Sequence, residues 1–190
     1  MLSFRVRGKF VSFIGIKCDP ISHVEKLFVD INRTAKEYNI LIIALNAIHI
    51  LNWRVLLKAV EHAIRAFERG VNISRKIPIE VMLYLSGKRQ INEALSIFGL
   101  KPNITEIVVV LISEEVISEE LINTIIKLFP NARISDNLLF PSQEKLQAIQ
   151  ELYDIHEEEL NASIIKGNEL LEELIEKIIL SRIALFECKK

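Results

Sequence analysis

The run Ile104 to Ile112, with Val108, Val109 and Val110 consecutive at its centre, constrains this chain more than any other segment. β-Branched residues on both sides of a short stretch suit a strand covered on both faces. Such a strand needs partners, and the other clear strand-like runs lie in the first 45 residues. Leu2 to Val6 and Phe10 to Ile16 are partly alternating and joined at Gly8 and Lys9, the pattern of a β-hairpin, and Ile40 to Leu45 is a continuous aliphatic run. The sheet must therefore be assembled from segments distant in sequence. With 190 residues, half of them hydrophobic, the chain is long enough to bury such a core as one domain.

Helical periodicity fills the intervals. Val24, Leu27, Phe28, Ile31 and Ala35 predict an amphipathic helix from His23 to Tyr38. Asn52 suits the N-cap of a helix running to Arg69, stopped by Gly70, with Val55, Leu56, Ala59, Val60, Ala63, Ile64 and Phe67 inward. Pro78 suits the first turn of a helix in which Ile79, Val81, Met82, Leu83 and Leu85 are apolar almost all round, which predicts a central, buried element. It ends at Gly87. Ile91, Ala94, Leu95 and Phe98 then mark one buried face of a short helix closed by Gly99. Ser118 predicts a helix to Phe129, Asn131 to Leu139 a loop or weak edge strand, and Ser142 a helix through Tyr153, followed by the acidic run Asp154, Glu157, Glu158 and Glu159, which reads as a solvated face. The last helix is expected from an Asn168 cap over Glu169 to Phe186, with Lys189 and Lys190 complementing its dipole.

Two features of these helices point beyond the core. On the helix after Asn52, Arg54, Lys58, Arg65 and Arg69 fall within roughly 60° of arc at 100° per residue, with His62 beside them and Glu61 among them. They form either a solvated face or a ligand-facing basic stripe. On the last helix, Leu170, Leu171, Leu174, Ile175, Ile178, Ile179, Leu185 and Phe186 cover about half the circumference, with Ile183 just beyond and Leu180 towards the charged side. That arc is either well packed or partly left for another protein.

Charge is distributed unevenly. Net charge is −1, yet residues 1–103 carry 16 Lys+Arg against 8 Asp+Glu and the remainder 8 against 17. The whole-molecule field calls for no polyanion, whereas the first half offers a place for an anionic ligand. Lys88 and Arg89 are expected in the first turn of the short helix that Gly99 closes, either as two solvated surface cations or as an anion-receiving pair where free N–H groups already supply positive potential. Local stability gains nothing from them there, whereas a phosphate would.

Several chemistries lack a signature. There is no Gly-rich phosphate loop, no metal-ligand spacing and no nucleophile beside a base, and His23, His49, His62 and His156 stand in four different elements. Neither a catalytic residue nor a cofactor or metal is therefore expected. Cys18 and Cys188 near opposite ends read as reduced thiols of a cytoplasmic protein. Arg5, Arg7 and Lys9 interrupt the start against a signal peptide, and Ile40 to Leu51 is too short and too interrupted, by Asn46 and His49, to span a bilayer.

The segments Leu45-Asn46-Ala47, Glu61-His62-Ala63-Ile64, Glu80 to Leu85, Ser86-Gly87-Lys88-Arg89-Gln90-Ile91, Glu93-Ala94-Leu95 with Gly99, and the closing Leu174 to Lys177 and Ile183-Ala184-Leu185 resemble the small regulatory subunit of the KEOPS tRNA-modifying complex, the TPRKB-like family. The resemblance spans nearly the whole chain, strongest over residues 46 to 99 and weak between Ser113 and Ser163. It implies an α/β (α+β) fold with a mixed sheet, helices packed around it and a long C-terminal helix. It also implies a non-catalytic protein that binds the atypical kinase of KEOPS and supports its activity, in contact only indirectly with the threonylcarbamoyl transferase subunit.

Two surfaces follow from the resemblance. The last helix would dock the kinase, through Leu171, Ile175, Ile179 and Ile183. Arg89 and Gln90, with Lys88 at a looser position, would hold the single-stranded acceptor end of tRNA. A guanidinium can pair a phosphate bidentately and an amide can read a base edge. Lys58, Arg65 and Arg69 would steer the RNA backbone. The alternatives are a protein-interaction module without RNA contact, and an enzyme acting on a small anion at Lys88 and Arg89.

Overall fold

The computed structural model describes residues 1–164 and 170–188. The expected Asn168 cap and Glu169 helix start, and Lys189 and Lys190, lie outside the described residues. The chain divides into two compact units, Met1–Ala47 with Phe98–Leu139, and Ile48–Ile97 with Phe140–Lys190.

The first unit holds the sheet. Strands β1 (Leu2–Val6) and β2 (Lys9–Lys17) form the expected hairpin, turning at Arg7 and Gly8, and pair Val6 with Lys9. β3 (Leu41–Asn46) and β4 (Glu106–Ser113) complete the order β1-β2-β4-β3, so the Val108 to Val110 run is central, and every pairing is antiparallel. Both faces of β4 are covered, since Ile107 through Leu111 have no solvent exposure. Alternate residues Ile14, Ile16, Ile42, Ala44, Ile107, Val109 and Leu111 pack on one side with Leu27 and Ile31 of α1 (Val24–Glu37) and Leu121, Ile122 and Ile125 of α5 (Glu119–Ile126). The result is the expected α+β class.

One local expectation changes in this unit. Phe28 of α1 is largely outside and Thr34 is inside, because the buried stripe runs through Leu27, Ile31 and Thr34. The segment from Asn131 to Leu139, expected as a loop or weak edge strand, holds a two-residue strand β5 (Arg133–Ile134) on β2, followed by a 3-10 turn at Asp136–Leu139 that buries Leu138 and Leu139. Here Ser135 donates its N–H to the Gly15 carbonyl at 2.7 Å, and a Cβ on Gly15 would lie 2.1 Å from the Ser135 carbonyl oxygen. Glycine is required by that close approach.

The second unit is helical. It contains α2 (Trp53–Arg69), α3 (Ile77–Ser86), most of α4 (Ile91–Phe98), α6 (Gln143–Tyr153), α7 (Glu157–Ala162) and α8 (Leu171–Cys188). Asn52 caps α2 by accepting from Val55 N at 3.0 Å, and Gly70 ends it in the left-handed conformation. α3 is central as expected, with Glu80 through Ser86 all buried. Buried Glu80 accepts from the N–H groups of Ile73 at 3.1 Å and Ser74 at 2.8 Å, so a carboxylate organises the loop between α2 and α3. In α4, Ala94 and Phe98 are buried whereas Leu95 is exposed, a narrower face than the spacing implied. Among the described residues, no helix is long and apolar enough to cross a membrane.

Candidate functional site

Lys88, Arg89 and Gln90 lie on the turn that joins α3 to α4, and all three are exposed. The turn is held by its own backbone. Gly87 takes φ 62°, a left-handed conformation that favours glycine, so α3 stops there. The Ser86 hydroxyl donates to the Leu83 carbonyl at 3.1 Å and accepts from the Lys88 N–H at 3.1 Å, tying the first cation to the helix end. The cations thus precede α4, whose helical residues begin at Ile91, and do not occupy its first turn.

A second clamp comes from α6 and α8. The Tyr153 hydroxyl donates to the Leu85 carbonyl, and Arg182 of α8 donates to the Tyr153 carbonyl while its guanidinium stands 5.9 Å from the Tyr153 ring centroid. The other arm of Arg182 grips both oxygens of Glu159 in α7, at 2.9 and 2.7 Å. Burial keeps the Tyr153 hydroxyl protonated far above the usual phenol range. Beside this clamp is an open cleft of about 300 Å³, bordered by Gly87, Lys88, Asp154, Arg182, Leu185 and Phe186 among others. It combines an apolar wall, two cations and one carboxylate next to the exposed turn. These groups suit a flat, partly charged ligand.

The basic stripe of α2 is largely engaged within the protein. Arg54 approaches Glu176 at 3.4 Å, and Lys58 approaches Glu61 at 2.9 Å. Arg65 donates from Nε to Glu187 at 3.0 Å and from Nη2 to the other oxygen, and Arg69 lies 3.7 Å from the same carboxylate. Glu176 and Glu187 are three turns apart on α8, as Arg54 and Arg65 are on α2, so the two helices run side by side in the same direction. His62 Nδ1 lies 2.7 Å from Glu187 and 2.9 Å from Arg65 Nη2. A guanidinium only donates, so Nδ1 meets Arg65 as an acceptor on one tautomer and Glu187 as a donor on the other. Burial first, and then the Arg65 charge, hold His62 below its ordinary value; at Glu187 burial pushes the other way, but the Arg65 hydrogen bond and the neighbouring positive charge prevail and keep it ionised.

The apolar arc of α8 faces inward. Ile175, Ile179 and Ile183 are at most 1% exposed and form core with Leu174, Ile178 and Phe186; Leu171, at the helix start, is 42% exposed. The physical reason is that α8 packs against α2 and α3 along that arc, with the edge of Phe186 on Tyr84 at 5.1 Å between centroids. Three of the four positions expected to meet a kinase are therefore not accessible as side chains. The outward side of α8 carries Glu173, Lys177, Leu180, Ser181, Ala184 and Leu185.

Sequence reasoning passed over Arg182, Tyr153 and Glu187. For Arg182 a signal existed, since at 100° per residue it falls in the middle of the apolar arc, and a cation there demands partners. Nothing in the sequence pairs Glu187 with α2. A family model described as kinase binding protein CGI-121 matches residues 21–187. No match is found among curated proteins.

Proposed function

The chain belongs to the CGI-121 family of kinase-binding proteins, and from that premise we propose that it is a non-catalytic kinase partner that also holds the single-stranded acceptor end of tRNA. The setting is the KEOPS complex, where the kinase and the threonylcarbamoyl transferase work on tRNA. The observation that carries the RNA half is the Ser86–Gln90 turn. Exposed Lys88, Arg89 and Gln90 follow one another on a bend fixed by Ser86 and Gly87, next to a cleft with an apolar wall. Single-stranded RNA ends are held in this way, by cations on phosphates, amides on base edges and flat bases against apolar groups. The kinase docks on the outward stripe of α8, where Ser181 and Ala184 allow close approach between Leu180 and Leu185.

Binding of the protein to tRNA with an intact and with a trimmed acceptor end, over a salt series, tests the reading. Loss of affinity on trimming, and on Arg89→Ala, is the expected result. Equal binding of both tRNAs by both proteins overturns it. The pairing of Arg54, Lys58, Arg65 and Arg69 with carboxylates favours a second reading, a protein-interaction module without RNA contact. In that case kinase binding persists and neither tRNA binds.

A further inference from the structure

Glu187 is placed where its own helix disfavours it. A carboxylate in the last turn of α8 meets the negative end of the helix dipole, which costs stability unless other charges offset it. Among the described residues, the offset comes from α2. Arg65 engages both carboxylate oxygens through Nε and Nη2, the forked geometry that a guanidinium also offers a phosphate. His62 Nδ1 lies 2.7 Å from the same carboxylate, and Arg69 adds its charge at 3.7 Å. Two permanent cations thus converge on one anion, so the cluster remains net positive with Glu187 in place.

We propose that His62, Arg65 and Arg69 form an anion subsite in which Glu187 is an intramolecular occupant, displaced by a backbone phosphate of bound RNA. The inference rests on the RNA reading above and assigns to that reading the site of a further phosphate. The covalent neighbourhood makes the exchange consequential. Leu185 and Phe186, the two residues before Glu187, border the cleft beside Lys88, and Phe186 packs on Tyr84, which in turn packs on His62 at 5.3 Å between centroids. One turn of α8 therefore joins the α2 subsite to the cleft. Releasing Glu187 loosens the last turn of the helix that forms the cleft wall, so an RNA that reaches both places is sensed by α8.

The experiment compares wild type with Glu187→Gln for tRNA with an intact acceptor end, over a salt series. Glutamine keeps an acceptor for Arg65 and removes the competing charge. Affinity is expected to rise about three- to tenfold at low salt, with the gain shrinking as salt screens it and vanishing in Arg65→Ala/Glu187→Gln. Hydrogen exchange of the 184–188 amides in the wild type is a second readout, expected to quicken when tRNA binds. Arg89-dependent binding with unchanged or weaker affinity in Glu187→Gln, or with unchanged or slower exchange at 184–188, overturns the subsite and leaves the RNA reading intact. Absence of tRNA binding by both proteins overturns the RNA reading itself, and the subsite with it.

Discussion

Tyr153 donates its hydroxyl to the carbonyl of Leu85, so a side chain at the end of α6 pins the last turn of α3 just before the bend that presents Lys88 and Arg89. Both groups are buried, so neither has water as an alternative partner. Tyr153→Phe removes the donor, leaves the ring in place and strands the carbonyl. The expected cost is about 1–2 kcal/mol, a fall in melting temperature of a few degrees for a chain of this size. Because no charge changes, a simultaneous loss of Arg89-dependent tRNA affinity reports the looser turn. Calorimetry and the binding assay on one preparation check both.

Stability should fall on mild acidification, starting at His62. A histidine held below its ordinary value of 6.5 resists protonation in the folded state. Below pH 6.5 the unfolded chain takes up a proton that the folded chain refuses, so this contribution is complete above 6.5 and declines until folded His62 itself titrates. Glu61, held low chiefly by its Lys58 hydrogen bond, and Glu187 act in the same direction, but their contributions persist down to about 4.5 and are lost below it. Urea midpoints measured against pH are expected to begin sloping as pH falls below about 6.5 in the wild type and to stay flatter there in His62→Gln.

Glu80 has no solvent exposure, and its carboxylate serves the Ile73 and Ser74 N–H groups of the loop between α2 and α3. Glu80→Ala leaves both donors without that partner. A loss of about 2–3 kcal/mol is expected, seen as a lower denaturant midpoint, with protease cleavage appearing first between residues 70 and 76.

Much of this arrangement was legible because it is local. Caps at Asn52, Ser118 and Ser142, the stop at Gly70, the hairpin read at Gly8 and Lys9 and found one residue earlier, and the all-round burial of α3 follow from side-chain chemistry within a few residues. Contacts between distant segments were not legible. Hydrophobic period gave the width of the α8 arc, yet only packing on α2 and α3 decides that Ile175, Ile179 and Ile183 are core. The α2 stripe was left open between a solvated face and a ligand-facing one, because the carboxylates that meet Arg54 and Arg65 lie 122 residues away; only the Lys58–Glu61 pair is local.

Gly15 gives a sharp test of the edge of the sheet. Its missing side chain admits the Ser135 backbone, and alanine would place a methyl group 2.1 Å from a carbonyl oxygen that cannot move aside alone. Gly15→Ala is expected to detach residues 133–139 from β2. Destabilisation of about 1–3 kcal/mol, with faster exchange of the Ser135 amide while β4 amides stay protected, is the signature.

Core and docking roles on α8 separate with two substitutions. Ile175 is fully buried, so Ile175→Glu places a carboxylate among aliphatic side chains and is expected to unfold the second unit at a cost of several kcal/mol. Loss of kinase binding by that variant would say nothing about the interface. Ala184 is exposed on the outward stripe between Leu180 and Leu185, and a long cation there disturbs no interior contact. Ala184→Arg is therefore expected to melt within about 2 °C of wild type, as surface changes do, and to bind the kinase at least tenfold more weakly. Unchanged binding by a folded Ala184→Arg would remove this stripe from the interface and direct attention to the exposed start of the helix at Leu171.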